Sequence, residues 1–433
     1  MTHESVELLS EYIKINTTNP PGGEDQAVKF LKKIFDREGI DTKIYESPEK
    51  RQSIRATLPG SGQKGAIVLL NHMDVVTANP DEWSFDPFCG DIKDGMILGR
   101  GTLDTKGLAI MEMLAMLHFK RNGITPNRDI IFLAAADEET GGGQGVEFLM
   151  NNHLEDFQAD LVLNEGAVGL TDIAPDKPVM MISAGEKGIC WLKLRRKGQP
   201  GHGSAPHGKN ALENLSKAVN NLIAETTPYS VSPIVAEYFK NLAAIWEFLA
   251  PYQADGNPDT LIKILTETGF IEMPQLSAML RNTISLNVMR AGEKTNVIPS
   301  YAEAELDTRI LPGQGIDDWI AMLKEKMADD EIEIEVLTGT EASASPTDSG
   351  DYLVITEYLE QKYPDTVVTP SLTVGTTDSR VFRHQGIPAY GVAPIFIPMQ
   401  HAGMIHGTDE QISVQNMISG TEAMTELVEK LCS

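Results

Sequence analysis

An apolar segment, IFLAAA, runs straight into Asp137, Glu138 and Glu139 and then into the glycines of TGGGQG. Three neighbouring carboxylates at the edge of a core repel one another and are costly unless a cation meets them. Successive residues of an extended chain point to opposite sides, so the adjacent Glu138 and Glu139 suit two different tasks. Other segments end in a similar way. LLNHMDVV places His72 and Asp74 two residues apart, on one side of an extended chain, and GRGTLDTKG sets Asp104 among glycines just before a helix. LVLNEG ends in Glu165, and IHGTDEQIS supplies His406 followed by Gly407. Imidazole and carboxylate donors together suit a divalent cation, and Zn²⁺ takes mixed nitrogen and oxygen ligands. Singly, each signal is weak. A strand-end acid is more often a helix cap or a loop charge, and the glutamate pair could be the solvated start of a loop. Their joint occurrence points to a metal site.

Positioning such residues takes a layered scaffold. Residues 5–15 read as a helix closed by the TNPPGG turn, and 24–37 as a helix with Ala27, Phe30, Leu31, Ile34 and Phe35 on one stripe, ended by Gly39. Strands follow at 41–46, 53–58 and 65–71, the last apolar enough to be covered on both faces. A nearly all-round apolar helix at 105–120 leads to the strand that ends at the glutamates. A helix at 144–152 and the strand DLVLNEG come next. This alternation indicates an α/β layer, in which sites collect at the carboxyl ends of strands. Near Glu186 the character changes. KGICWLKLRRKG alternates like a half-exposed strand, 209–285 reads as helical, and NVIPSYAEAELDTRILPG reads as two strands broken at a proline. From about 316 the α/β pattern returns and closes in a helix carrying Met417, Met424, Leu427, Val428 and Leu431. The expected organisation is a discontinuous α/β body, residues 1–186 and 313–433, with a smaller α+β domain inserted at 187–312.

At 433 residues the chain exceeds the size at which a single core usually stops growing, which agrees with two domains. Its formal net charge of −26, spread along the chain, argues against nucleic acid and anionic membrane surfaces as partners. Cys89, Cys190 and Cys432 lie too far apart for a metal-ligand motif, and their odd number fits no disulfide framework, which suits a reducing compartment. The opening MTHESVELLSEYIK lacks a basic segment followed by an apolar run, and no apolar run approaches membrane-spanning length. A cytoplasmic protein is expected.

Taken in order, HMDVV, GRGTLDTKG, DEETG, NEG and HGTDE resemble the dinuclear zinc amidohydrolase and exopeptidase family that contains carboxypeptidase G, aminoacylase, acetylornithine deacetylase and succinyl-diaminopimelate desuccinylase. The resemblance spans essentially the whole chain. GQPGHGSAPHGKNAL, NVIPSYAEAELDTRILPGQ and VGTTDSRVFR look most like the carboxypeptidase S branch, with its hydrolases of N-acyl amino acids. It implies a zinc-exopeptidase-like layered α/β catalytic domain with an inserted lid and dimerisation domain, and two Zn²⁺ per subunit, although the same donors would accept Co²⁺ or Mn²⁺. By motif position, His72 and Glu165 would serve one ion, Glu139 and His406 the other, and Asp104 would bridge them. Glu138 would be the general base towards metal-bound water, and the Asp74 carboxylate would orient the His72 ring. His202 would reach a neighbouring subunit's active site and stabilise the oxyanion. Arg309 would grip the substrate carboxylate beside Asn296, and Gly375, Thr376 and Thr377 would offer further donors.

Alternatives stand beside several of these. Arg309 could instead form a surface ion pair with Asp307. His401 rivals His406, which fits the H-x-x-x-E spacing better. Asn164 stands where an aspartate is common in the family and would affect only the surroundings of the ligands. His207 reads as structural or surface, His118 as a core histidine, and His3, His153 and His384 as surface residues. The expected function is a metal-dependent hydrolase cleaving an amide or peptide bond next to a free carboxylate, as a carboxypeptidase or N-acyl amino acid hydrolase, in a homodimer. A narrower deacylase or dipeptidase is the alternative within the class. A non-catalytic binding protein of the same fold would be marked by a missing ligand or base, and none of these positions is missing.

Overall fold

The run IVLLNH, Ile67–His72, is buried at every position because its two faces serve different cores. Ile67 and Leu69 pack into one apolar cluster, and Val68 and Leu70 into another on the opposite side. The parallel neighbour Ile130–Ala135 divides in the same way, with Ile130, Phe132 and Ala134 on the first face and Ile131, Leu133 and Ala135 on the second. A strand with period-2 alternation between two apolar sides requires a helical layer on each. Helices Glu4–Ile13, Lys106–Asn122 and Val414–Leu431 supply the first layer, and Val146–His153 with Ser379–His384 the second. Lys106–Asn122 is apolar almost all round because it sits between the sheet and its neighbouring helices.

The computed structural model describes residues 3–174, 177–224 and 226–433. In the nine-stranded mixed sheet, the order is Asp41–Glu46, Gln52–Leu58, Ile130–Ala135, Ile67–His72, Leu161–Leu170, Ala389–Ile397 and Val179–Glu186. Ser343–Ala344 and Val367–Thr373 both pair with that last strand. Ile67–His72 lies centrally, parallel to both neighbours, so His72, the glutamate pair and Glu165 emerge on adjacent strands.

A second sheet has four antiparallel strands in the order Thr283–Ala291, Tyr301–Ile310, Gly188–Lys197, Ile332–Thr340. Cys190, Leu192 and Leu194 alternate into a separate core with helices Ala211–Ile223 and Ile316–Met327, which contribute Leu215, Leu222, Trp319 and Leu323. The other face carries Trp191, Lys193, Arg195 and Lys197, the half-exposed alternation expected.

Packing moves the expected boundaries. Ile316–Met327 and Ile332–Thr340 belong to the second sheet's core, so that unit passes residue 312. The reading of 209–285 as helical also needs correction. Thr283–Ala291 is an edge strand, and the helices between Pro233 and Leu280 pack on the large sheet's core through Val235, Phe239, Leu261 and Leu280. No described helix is long and apolar enough to cross a membrane.

Candidate metal centre

Asp104 joins two sets of donors. Its Oδ1 lies 3.0 Å from His72 Nε2, which is also 3.5 Å from Glu165 Oε1. Its Oδ2 lies 3.1 Å from His406 Nε2, which is also 3.0 Å from Glu139 Oε2. Two triads therefore share one carboxylate, and within each the donor atoms lie within 4.8 Å of one another. Glu138, Glu139, Glu165, Asp104 and His406 all line one cavity of about 390 Å³.

The scaffold fixes each donor separately. His72 ends its strand, and its Nδ1 lies 2.9 Å from the backbone carbonyl of Asp74. The Asp74 carboxylate is 3.7 Å from that nitrogen, within ion-pair but beyond hydrogen-bond distance, so the carbonyl makes the closer contact to the ring. The carboxylate instead accepts from the backbone N–H groups of Glu138 (3.2 Å) and Glu139 (3.1 Å) and from Asn19 Nδ2 (2.8 Å). It caps the short turn Glu138–Thr140 that aims both glutamates into the cavity.

Asp137, the third acid of the run, has a left-handed backbone at φ 67° and a separate task. It accepts from Arg51 Nη1 (2.9 Å), Thr140 Oγ1 (2.6 Å) and the Gln144 N–H (2.9 Å), while Arg51 also pairs with Glu24. Of the three adjacent acids, Asp137 thus turns to Arg51, Glu139 to His406, and Glu138 into the cavity. Gly391, on the strand beside Glu165, has no room for a side chain: a Cβ there would lie 1.9 Å from the Glu165 carbonyl oxygen.

Asp104 is held from a distant segment. Glu410, fully buried, accepts from the N–H groups of Leu103 (2.7 Å), Gly101 (3.0 Å) and Asp104 (3.2 Å) and from Arg100 Nη1 (2.6 Å). The Arg100 guanidinium lies over the Trp83 ring at 5.0 Å and also donates to the Gly407 carbonyl, next to His406. Sequence reasoning missed Arg100, Arg51 and Asn19. It used Glu410 only as the spacing mark for His406.

The electrostatics describe a site built for positive charge. Burial and then the Asp104 charge push Glu165 up to about 7, and burial with the Glu165 charge pushes Glu138 well above the carboxylate range. Hydrogen bonds to Asp104 and Glu139 lift His406 to about 10. Burial opposes the charged form of His72, but its bonds to Asp104 and Glu165 outweigh that and hold it well above the usual imidazole value. Burial likewise opposes ionised Asp104, yet its bonds to His406 and His72 keep it below the usual range. Four carboxylates meet here: Asp104, Glu138, Glu139 and Glu165. Two divalent cations would balance their charge, and the mixed oxygen and nitrogen donors fit such ions.

The remaining predicted residues divide. Gly375, Thr376 and Thr377 line the cavity. Thr377 is fastened to Glu186 through both Oγ1 (2.7 Å) and N–H (3.0 Å), and Asn164 donates to Ser379 Oγ at 2.9 Å behind it. His202, Asn296 and Arg309 lie on the second sheet's unit and do not line the cavity. His202 and Asn296 are exposed, with Ser204 Oγ 2.8 Å from His202 Nδ1. Arg309 pairs with Asp307 at 2.7 and 3.0 Å, the alternative noted for it. His401 takes no part in either triad. His118 is a third exposed and pairs with Glu429 at 2.8 Å, so it is not a core histidine. In a third group, His153, Glu155 and Asp156, the Asp156 carboxylate is already bonded to Lys43 and Tyr45.

Asp378 is buried with neither carboxylate oxygen hydrogen-bonded. Burial pushes it up to about 7, against the opposing charge of Arg380. Its folded pKa lies above the unfolded value, so between pH 4 and 7 the folded state holds a proton that the unfolded chain has released. Stability from this group falls over that window as pH rises. Urea unfolding of chelated protein should therefore show Asp378→Asn gaining on the wild type from pH 4 to 7, with the difference level above 7. A pH-independent difference would contradict the assignment.

Residues 68–430 match the family described as Peptidase family M20/M25/M40. The chain is 30% identical over 415 residues to the human N-fatty-acyl-amino acid synthase/hydrolase PM20D1, covering 93% of this chain and 81% of that protein. It is 29% identical over 364 residues to a probable carboxypeptidase S-like 2 of Dictyostelium discoideum, covering 81% and 68%. Its fold matches an M20 family metallo-carboxypeptidase from Sulfolobus solfataricus with a TM-score of 0.75 at 20% identity, over 99% of both chains.

Proposed function

Because this chain belongs to peptidase family M20/M25/M40, a family of metal-dependent amide hydrolases, we propose that its shared-aspartate centre holds two Zn²⁺ ions and cleaves the amide bond of an N-acyl amino acid or of a peptide C-terminus. The observation that carries this reading is Asp104 bonded to both His72 and His406, with Glu138 in the same cavity. Asp104 would bridge the ions, His72 and Glu165 would complete one set, and Glu139 and His406 the other. When bound, the ions supply Lewis-acid polarisation of the carbonyl and lower the pKa of water towards neutrality.

The chain's own groups do the rest. Glu138 Oε takes the proton of the attacking water and returns it to the leaving nitrogen. Gly375 and Thr376 hold one side of the substrate, and Arg309, paired with Asp307 outside this cavity, would meet the substrate carboxylate only if the second sheet's unit moved over it. The human relative's name, an N-fatty-acyl-amino acid synthase/hydrolase, favours acylated amino acids over free dipeptides. The three unpaired cysteines suit a reducing, cytoplasmic setting. Purified protein should carry about two zinc ions per chain and hydrolyse N-acyl amino acids. Chelation should abolish turnover, and added metal should restore it. Absence of metal with no hydrolysis of blocked amino acids or dipeptides would sink the reading.

We infer that His202 serves a second copy of the chain, a reading supported by its exposure and its position outside its own cavity. In the proposed homodimer it would stabilise the oxyanion of the neighbouring site. His202→Ala should lower kcat by about 10²–10³ with metal content unchanged. Mixing it with Glu138→Gln should then restore roughly a quarter of wild-type activity, because half the reassorted dimers gain one complete site. Two variants that stay inactive when mixed would place His202 in its own chain's site, and a fully active His202→Ala would place it outside catalysis.

A further inference from the structure

The cavity is chemically lopsided. Apart from its acids, His406 and the polar stretch from Thr373 to Thr377, it is lined by aliphatic side chains and alanines: Val168 and Leu170 on the strand that carries Glu165, Met181 and Ala393 on neighbouring strands, and Ala402 and Ile405 just before His406. No lysine or arginine lines it among the described residues. An apolar wall beside a cluster of carboxylates suits an occupant with an apolar part, because exposed apolar surface is costly.

We propose that this wall is an acyl-chain channel of limited length, and that Ala393, Met181 and Ala402 set which chains fit. This rests on the hydrolase reading above. The direction follows from the chemistry of the substrate. The α-carbon of an N-acyl amino acid bears both the carboxylate and the side chain, so the two leave the scissile bond on the same side. A carboxylate cannot be buried along a wall without a cation. It stays at the polar lip of Gly375 and Thr376, keeping the amino acid side chain there with it. The acyl group departs from the carbonyl carbon the other way, along the aliphatic wall.

The length is set by the strand. From Glu165 to Leu170 is five residues, at most about 16 Å at roughly 3.3 Å per residue. A chain advancing about 1.2 Å per bond covers that in roughly 13 bonds, so acyl chains of up to about 14 carbons fit. Ala393 faces Val168 in the parallel pairing, and a larger residue there would narrow the channel part-way along.

The test is a ladder of N-acyl derivatives of one amino acid, from acetyl to hexadecanoyl, on the metal-loaded enzyme. kcat/KM should rise about two- to fourfold per methylene and peak at roughly 12–14 carbons. Competitive inhibition by the free straight-chain carboxylic acids should tighten over the same range. Ala393→Leu should cut the decanoyl-to-acetyl ratio at least tenfold, and Ala402→Leu, on a different element and partly exposed, should do the same if the first variant folds poorly. Acetyl hydrolysis with a flat ladder, or ratios unmoved by either variant, would overturn the channel and leave the hydrolase standing. No hydrolysis at any length by protein holding two metals would overturn both.

Discussion

Glu138→Gln should lower kcat by roughly 10²–10⁴-fold while two metal ions remain bound. Glu138 lies in the cavity but outside both donor triads, so its loss removes no ligand. The amide keeps the shape and the backbone bond to Asp74, so the Glu138–Thr140 turn should survive. What disappears is the group that accepts and returns a proton. Metal analysis and steady-state kinetics on one preparation decide the matter. A variant that loses a metal would make Glu138 a ligand, and one that retains most of its activity would move the general base elsewhere.

Glu410→Ala should destabilise the fold by about 3–5 kcal/mol, although the residue is a member of neither triad. Its removal leaves the fully buried Arg100 charge without its carboxylate and strips the acceptor from the N–H groups of Gly101, Leu103 and Asp104. Those amides carry the loop that presents Asp104, so metal affinity should fall along with stability. Glu410→Gln retains one oxygen and should recover part of both. Urea unfolding with a parallel zinc titration reads the two effects. Normal metal affinity in a destabilised Glu410→Ala protein would mean that Asp104 is positioned by something other than these bonds.

The two cases mark what a sequence discloses. Metal donors are few in kind and sit at strand ends, so His72, Asp104, Glu139, Glu165 and His406 could be picked out, and the structure gathers all five. The residues behind them belong to no local pattern. Glu410 meets Arg100 across 310 positions, and Arg51 meets Asp137 across 86. Spacing placed Asp74 beside His72 correctly but could not separate its carbonyl, which meets the ring, from its carboxylate, which meets the glutamates' amides. Period-2 alternation identified strands without telling which sheet each joins, so Ile332–Thr340 was assigned to the wrong body. The helices between Pro233 and Leu280 showed their apolar stripes but not the core that receives them.

The doubly shared position of Asp104 also constrains how such a centre could change through descent. On the proposed assignment, a substitution at Glu165 or Glu139 spoils one seat and leaves the other triad whole. A substitution at Asp104 spoils both in one step. A lineage moving from two ions to one therefore has passable routes only through the outer donors, and the central aspartate should be the last of the five to drift.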